Sequence, residues 1–266
     1  MCTAIVSVDP SSPVPVILVG VRDEFTARSW DPPARHWPDR PRLVGGRDRR
    51  AGGTWLAADP VAVRAATVLN ARGPMPPEET RLSRGELPLR VAADGKLGRI
   101  DLPRFDPFLL IGAEPGTVRL WHWNGAELAE RELGPGLHMV LNSGLEGEGQ
   151  RAGETEDMHM IARLGHFRPL FAAAARPEPR PDARTVQEAW GEWLPLAEGG
   201  GLARTDPASL LPLVEIEEGR VWGTTSVSLI ALSADGLRYD FRALGGAGDE
   251  VDQGDEGRAG GWIRAV

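Results

Sequence analysis

The residue of this chain best suited to chemistry is Cys2. It is the only cysteine in 266 residues and it follows Met1 directly. Cysteine is small enough for an initiator methionine in front of it to be removed, so the mature chain is expected to begin with a residue carrying both a thiol and a free α-amine. Such an amine titrates near pH ~8 when unperturbed. Nucleophile and base would then share one residue, the N-terminal form of an activated nucleophile. The plain alternative is a small apolar side chain at the start of a buried strand, which is how a lone free cysteine generally behaves.

A second concentration of functional side chains lies between Phe25 and Arg50. Arginines recur at 28, 35, 40, 42, 47, 49 and 50, interleaved with Trp30 and Trp37 and broken by prolines at 32, 33, 38 and 41. The pattern suits an anion-binding lip, or a solvated irregular loop whose tryptophans pack onto the core. Metal chemistry has little support. None of His36, His122, His138, His159 and His166 forms a His-x-x-x-His pair. A single cysteine allows neither a disulfide nor a cysteine-based metal cluster. The stretch Gly245–Gly261 lacks the spacing of a calcium loop.

Period-two alternation makes Cys2 to Val8 a strand, with Cys2, Ala4, Val6 and Val8 on one face. The turn chemistry of 9–13 and the apolar run Val14–Gly20 make a hairpin with it, which returns Arg22, Asp23 and Glu24 to the Cys2 end. Strands are expected over 54–58, 61–69, 108–113, 117–123, 137–141, 221–233 and 237–243, with Asn70 closing one of them and a hairpin at Ala234-Asp235-Gly236. A short helix is expected within Glu78–Leu87, stopped at Pro88. From Glu154 the period becomes helical, through Ile161, Leu164, Phe167 and Phe171, with a kink at Pro169. Thr185-Val186-Gln187-Glu188 reads as a capping box that opens a second amphipathic helix. The order implies an α+β fold with sheet packed on sheet, a single domain over 1–244 and a glycine- and acid-rich tail over 245–266.

Composition sets the outer bounds. Hydrophobic residues make up 41%, enough for a sizeable core, and the formal net charge is −8. An acidic chain whose only lysine is Lys96 is a poor partner for nucleic acid. No basic, then apolar, leader opens the chain, and no apolar run reaches the ~18 residues of a membrane span. A soluble cytoplasmic protein is expected.

Several of these pieces, taken in order, resemble the NRDE family, also called the Transport and Golgi organisation family. They are Met1-Cys2-Thr3-Ala4-Ile5-Val6, Arg22-Asp23-Glu24-Phe25, Gly52-Gly53-Thr54-Trp55-Leu56, Asn70, Ser83-Arg84-Gly85-Glu86-Leu87, Leu141-Asn142-Ser143 and Trp222-Gly223-Thr224. The likeness extends to about Leu244. That family is similar in turn to N-terminal-nucleophile cysteine hydrolases such as the choloylglycine hydrolases and penicillin V acylases. The resemblance implies a four-layer αββα sandwich and an amidohydrolase acting on a C–N amide bond. By position, Cys2 would be the nucleophile and Arg22 or Asp23 would orient its amine and thiol. Asn70 would be an oxyanion-hole donor and Asn142 a second asparagine near the nucleophile. Two positions depart from the family: Val21 stands where it carries asparagine, and Thr225 where it carries arginine. The alternative implied function is a non-catalytic binder of haem or acyl-lipid, with Trp30, Trp37 and Thr225 among its ligand-binding residues. Its partner would be a small amide or amphipathic molecule, haem being a ligand and not a required cofactor.

Overall fold

Alternation governs the first hairpin, and the first hairpin sits at the centre of the fold. A computed structural model describes residues 2–151, 153–180, 182–216, 219–245 and 261–266. In it β1 (Thr3–Val8) pairs antiparallel with β2 (Val16–Phe25), with Thr3 opposite Val21. The chain continues through β3 (Trp30–Ala34), β4 (Val44–Asp48), β5 (Leu56–Asp59), β6 (Arg64–Asn70) and helix α1 (Glu86–Asp94). It then forms β7 (Phe108–Glu114), β8 (Thr117–Trp123), β9 (Leu128–Glu132), β10 (Gly136–Leu141) and β11 (Gly144–Leu145). Helices α2 (Thr155–Ala173), α3 (Val186–Trp190) and α4 (Trp193–Ala197) follow, and β12 (Leu213–Glu215), β13 (Val221–Ser233), β14 (Gly236–Ala243) and β15 (Trp262–Arg264) complete it.

The strands form two antiparallel sheets. One has the order β11-β10-β1-β2-β13-β14-β15, with β12 also on β13; the other is the meander β3 to β9. Both faces of β1 are buried. Ala4 and Val6 join Leu18, Leu56, Leu109 and Ile111 in an apolar cluster between the sheets. Ile5 faces the other way, with Val19 and Val21, against Met160, Phe167, Trp190 and Trp193 of α2–α4. A third cluster packs Leu87, Leu89 and Val91 of α1 onto Ala57, Leu110 and Trp121 of the second sheet. The protein is therefore mixed α and β, with mostly antiparallel sheets and few helices. No helix among the described residues is long and apolar enough to cross a membrane.

Several local expectations are corrected. The arginine-rich stretch 25–50 is not one loop, since β3 and β4 lie within it; Pro32 and Pro33 fall in β3 at the edge of the sheet, where a missing N–H costs no ladder bond. Within Glu78–Leu87 a single 3-10 turn forms at Glu78–Thr80, but the α-helix starts at Glu86 and contains Pro88 instead of stopping there, because an N–H in the first helical turn has no intrahelical partner to lose. The buried side of α2 is Asp157, Met160, Arg163, Phe167 and Phe171, while Ile161 is exposed. The second amphipathic helix is two short ones divided at Gly191, whose positive φ breaks the turn. Strand β9 escaped the pattern because all five of its residues are exposed, which leaves no alternation to see. Of the tail, 246–260 lies outside the described residues, and Trp262–Arg264 pairs with β14.

Candidate active site

The strand period puts the thiol and its neighbours on opposite sides of one sheet. Cys2 shares the inter-sheet side with Ala4, whereas Thr3 and Ile5 face the helices. On β2, Arg22 follows Gly20 and Leu18 toward the second sheet, and Asp23 follows Val19 and Val21 toward α2. The half-buried Cys2 Sγ donates to the main-chain carbonyl of Asp23 at 3.5 Å.

Arg22 is 6% exposed and tightly placed. Its guanidinium lies 4.5 Å over the Trp55 ring. Nη1 donates to the Thr225 hydroxyl at 2.7 Å, and that hydroxyl donates to the Arg22 carbonyl at 3.3 Å. Nη2 is 3.7 Å from Asp48 and 3.9 Å from Glu24. The ladder explains Thr225: β13 pairs Thr224 with Asp23 and Ser226 with Arg22, so Thr225 is the extra residue of a β-bulge. Bulges re-aim side chains beside functional sites. Here the bulge gives Thr224 to Asp23 and Thr225 to Arg22. The Thr224 hydroxyl donates to Asp23 Oδ1 at 2.6 Å, and Arg163 Nη1 of α2 lies 3.4 Å from Oδ2.

Cys2, Arg22 and Asp23 line a cleft of about 480 Å³, together with Trp55, Asn70 and Ser83–Gly85. Glycine makes its wall possible. Gly53 and Gly85 cross backbone to backbone, the Thr54 N–H donating to the Gly85 carbonyl at 2.9 Å, and a Cβ on Gly53 would lie 2.5 Å from the Gly85 carbonyl carbon. This crossing joins the Gly-Gly-Thr-Trp-Leu and Ser-Arg-Gly-Glu-Leu segments. Asn70 ends β6 with its side chain exposed at the cleft wall, and its amide has no hydrogen-bond partner among the described residues. Asn142, just after β10, spends its Nδ2 donor on the Asn70 carbonyl at 2.9 Å. It supports Asn70 from behind and does not line the cleft.

The cleft is densely charged, with Arg22, Arg28, Arg50, Arg81 and Arg84 set among Asp23, Glu24, Asp48, Glu78 and Asp106. Burial pushes the Cys2 thiol above its ordinary value and the Asp23 charge adds to this, against the amino terminus and Arg22, which pull it down. Burial also lowers Arg22 and Arg84 from the usual arginine range. Burial opposes ionisation of Asp48, but the Arg28 hydrogen bond of 2.5 Å, the Ala51 N–H and the charges of Arg28 and Arg22 outweigh it and hold this carboxyl below its ordinary value. No group of His, Cys, Asp and Glu among the described residues is placed to hold a metal ion.

Of the residues singled out in the sequence, Cys2, Arg22, Asp23 and Asn70 meet at the cleft, and Asn142 and Thr225 stand behind it. Trp30 and Trp37 do not join them. Trp30 is buried in the inter-sheet cluster, edge-on to Trp55 at 5.7 Å, and Trp37 packs in the α1 cluster with its Nε1 donating to the Gly52 carbonyl at 2.9 Å. Neither lines the cleft. Arg84 entered the sequence reading only within the Ser83–Leu87 segment, with no role of its own, and Arg163 not at all. An arginine on the apolar stripe 160, 163, 167, 171 was the available signal for Arg163, since arginine is almost never fully buried unless paired.

Residues 1–158 match the family model described as Transport and Golgi organisation 2. The match ends within α2, so the later segments, Trp222–Thr224 included, lie outside it. No curated protein matches the chain.

Proposed function

The chain belongs to the Transport and Golgi organisation 2 family, and from that premise we propose that it is an N-terminal-cysteine amidohydrolase with its centre in the Cys2 cleft. The carrying observation is that the Cys2 thiol lines a cleft beside a buried, oriented Arg22 and donates to the main-chain carbonyl of Asp23. The packing of α2–α4 on one sheet, that sheet on the second, and the second on α1 is compatible with the αββα sandwich of N-terminal-nucleophile hydrolases.

In this reading Met1 is removed. The exposed Cys2 amine takes the thiol proton, and the thiolate attacks an amide carbonyl, forming an S–C bond. The developing oxyanion accepts from the free Asn70 amide, a kind of donor worth about 3–4 kcal/mol when well placed. The ammonium returns its proton to the leaving amine as the C–N bond breaks, and water then hydrolyses the thioester. Arg22 would stabilise the thiolate across the cleft. A screen of N-acyl amides against the wild type and Cys2→Ala tests this. Turnover confined to the wild type is expected, and equal turnover by both would reject it.

A second reading keeps the cleft without turnover, its arginines meeting the carboxylates of a bound haem or acyl-lipid. Trp55 on the cleft wall is the reporter: saturable quenching by haemin at a stoichiometric ratio would favour this reading, and a linear, unsaturable response would count against it.

A further inference from the structure

Arg163 is the residue that a helix packed on a sheet has least reason to carry. It is 1% exposed and shares the buried side of α2 with Met160, Phe167 and Phe171. Burying a guanidinium is costly, and well-packed apolar side chains are often at least as stable in such places. Its contacts converge on the nucleophile. Nε donates to the Ser209 carbonyl at 2.8 Å, while Nη1 donates to the Thr3 hydroxyl at 2.8 Å and lies 3.4 Å from Asp23 Oδ2. Thr3 follows Cys2 in the chain, and the Asp23 carbonyl accepts the Cys2 thiol. One guanidinium thus grips β1 and β2 beside the nucleophile, from the side of the sheet opposite the thiol.

We infer that Arg163 is a positioning residue that fixes the Asp23 carboxylate beneath the first residue of the processed chain and offsets its charge, so that the Cys2 amine is anchored yet free to take the thiol proton near neutral pH. The inference rests on the N-terminal-nucleophile reading. An uncompensated carboxylate beside the amine would hold the proton on it. The other charges facing the centre are Arg22 and Glu24 of β2, Arg28 after it, Asp48 of β4, Arg50 after that strand, Glu78, Arg81 and Arg84 before α1, Asp106 before β7, and Arg204, whose Nη2 donates to the Thr224 carbonyl at 3.0 Å. All of them stay in place when Arg163 alone is neutralised.

The test is the pH dependence of Cys2 alkylation by iodoacetamide, on protein shown by intact mass to lack Met1. Arg163→Gln retains hydrogen-bonding groups for Thr3 and Ser209 but not the charge; it should move the acidic limb of the rate profile upward by about one pH unit, roughly tenfold slower labelling on that limb. Arg163→Lys should return the limb toward the wild type. Asp23→Asn should move it the opposite way, because the carboxylate charge is lost while that of Arg163 stays, and the double variant should fall between the two. Should Arg163→Gln fail to fold, Asp23→Asn decides alone. A folded variant of either kind with an unmoved limb, or shifts of the same sign in both, overturns the proposal. A wild type that keeps Met1 or resists alkylation overturns the nucleophile reading and this inference with it; a reactive wild type with unmoved variants overturns the role of Arg163 alone.

Discussion

At the scale of single residues, Thr225 bears most on whether this site is intact. The resemblance places an arginine there, and the bulge in β13 shows what threonine does instead. Its hydroxyl accepts from Arg22 Nη1 and donates to the Arg22 carbonyl, locking a buried guanidinium against Trp55. Thr225→Val keeps the shape and removes both bonds. Leaving a buried charged donor short of its partner costs on the order of 1–3 kcal/mol. Urea unfolding should therefore show a loss of that size for Thr225→Val and little for Thr225→Ser; equal stability of all three would mean that Arg22 is held by Asp48 and Glu24 alone.

At the scale of elements, close approach and charge tie the cleft wall together. Gly53→Ala should destabilise more than Gly85→Ala, because its Cβ would meet backbone carbon at 2.5 Å whereas that of Gly85 would meet Gly53 Cα and Thr54 N at 3.0 Å. Overpacking of this kind costs roughly 1–3 kcal/mol, and melting temperatures would rank the two; the reverse order would contradict the crossing. The start of α2 is anchored electrostatically. Burial opposes ionisation of Asp157, but the Arg72 hydrogen bond at 2.7 Å, the Arg151 N–H and both guanidinium charges outweigh it, so this carboxyl titrates below its ordinary value. A depressed carboxylate stabilises the fold above its unfolded value of about 3.9 and ceases to do so as pH falls through the folded one. Asp157→Asn should thus lose about 1.5–3 kcal/mol at pH 7 and show a flatter stability between pH 4 and 2 than the wild type. Equal losses at pH 7 and pH 2.5 in denaturant titrations would contradict this. The strands of the first hairpin and of β13–β14 were legible because each pair flanks a clear turn, at 9–13 and at Ala234-Asp235-Gly236. The 25–50 strands were not, because Pro32, Pro33 and the arginines obscure the period at a sheet edge.

At the scale of the whole molecule, the hairpin register carries the site. Pairing Thr3 with Val21 obliges Arg22 and Asp23 to flank Cys2, on opposite faces, and that much could be read from two apolar runs and a turn. The contacts of Arg163 could not be read, since its reach to Thr3, 160 residues away, and to Ser209, 46 residues away, depends on α2 packing over the outer face of the sheet; the sequence signals only an arginine on an apolar stripe. For Trp30 and Trp37 the sequence allowed both a binding lip and tryptophans packed onto the core; the sheets bury both, which is the second of these and not the ligand-binding role. What remains is whether Cys2 becomes the first residue of a reactive site. Intact mass of the native protein before and after brief iodoacetamide treatment at neutral pH answers this most directly. The account predicts a chain lacking Met1 that gains one carbamidomethyl group quickly when folded. A chain that retains Met1, or a folded Cys2 that stays unlabelled, would contradict it.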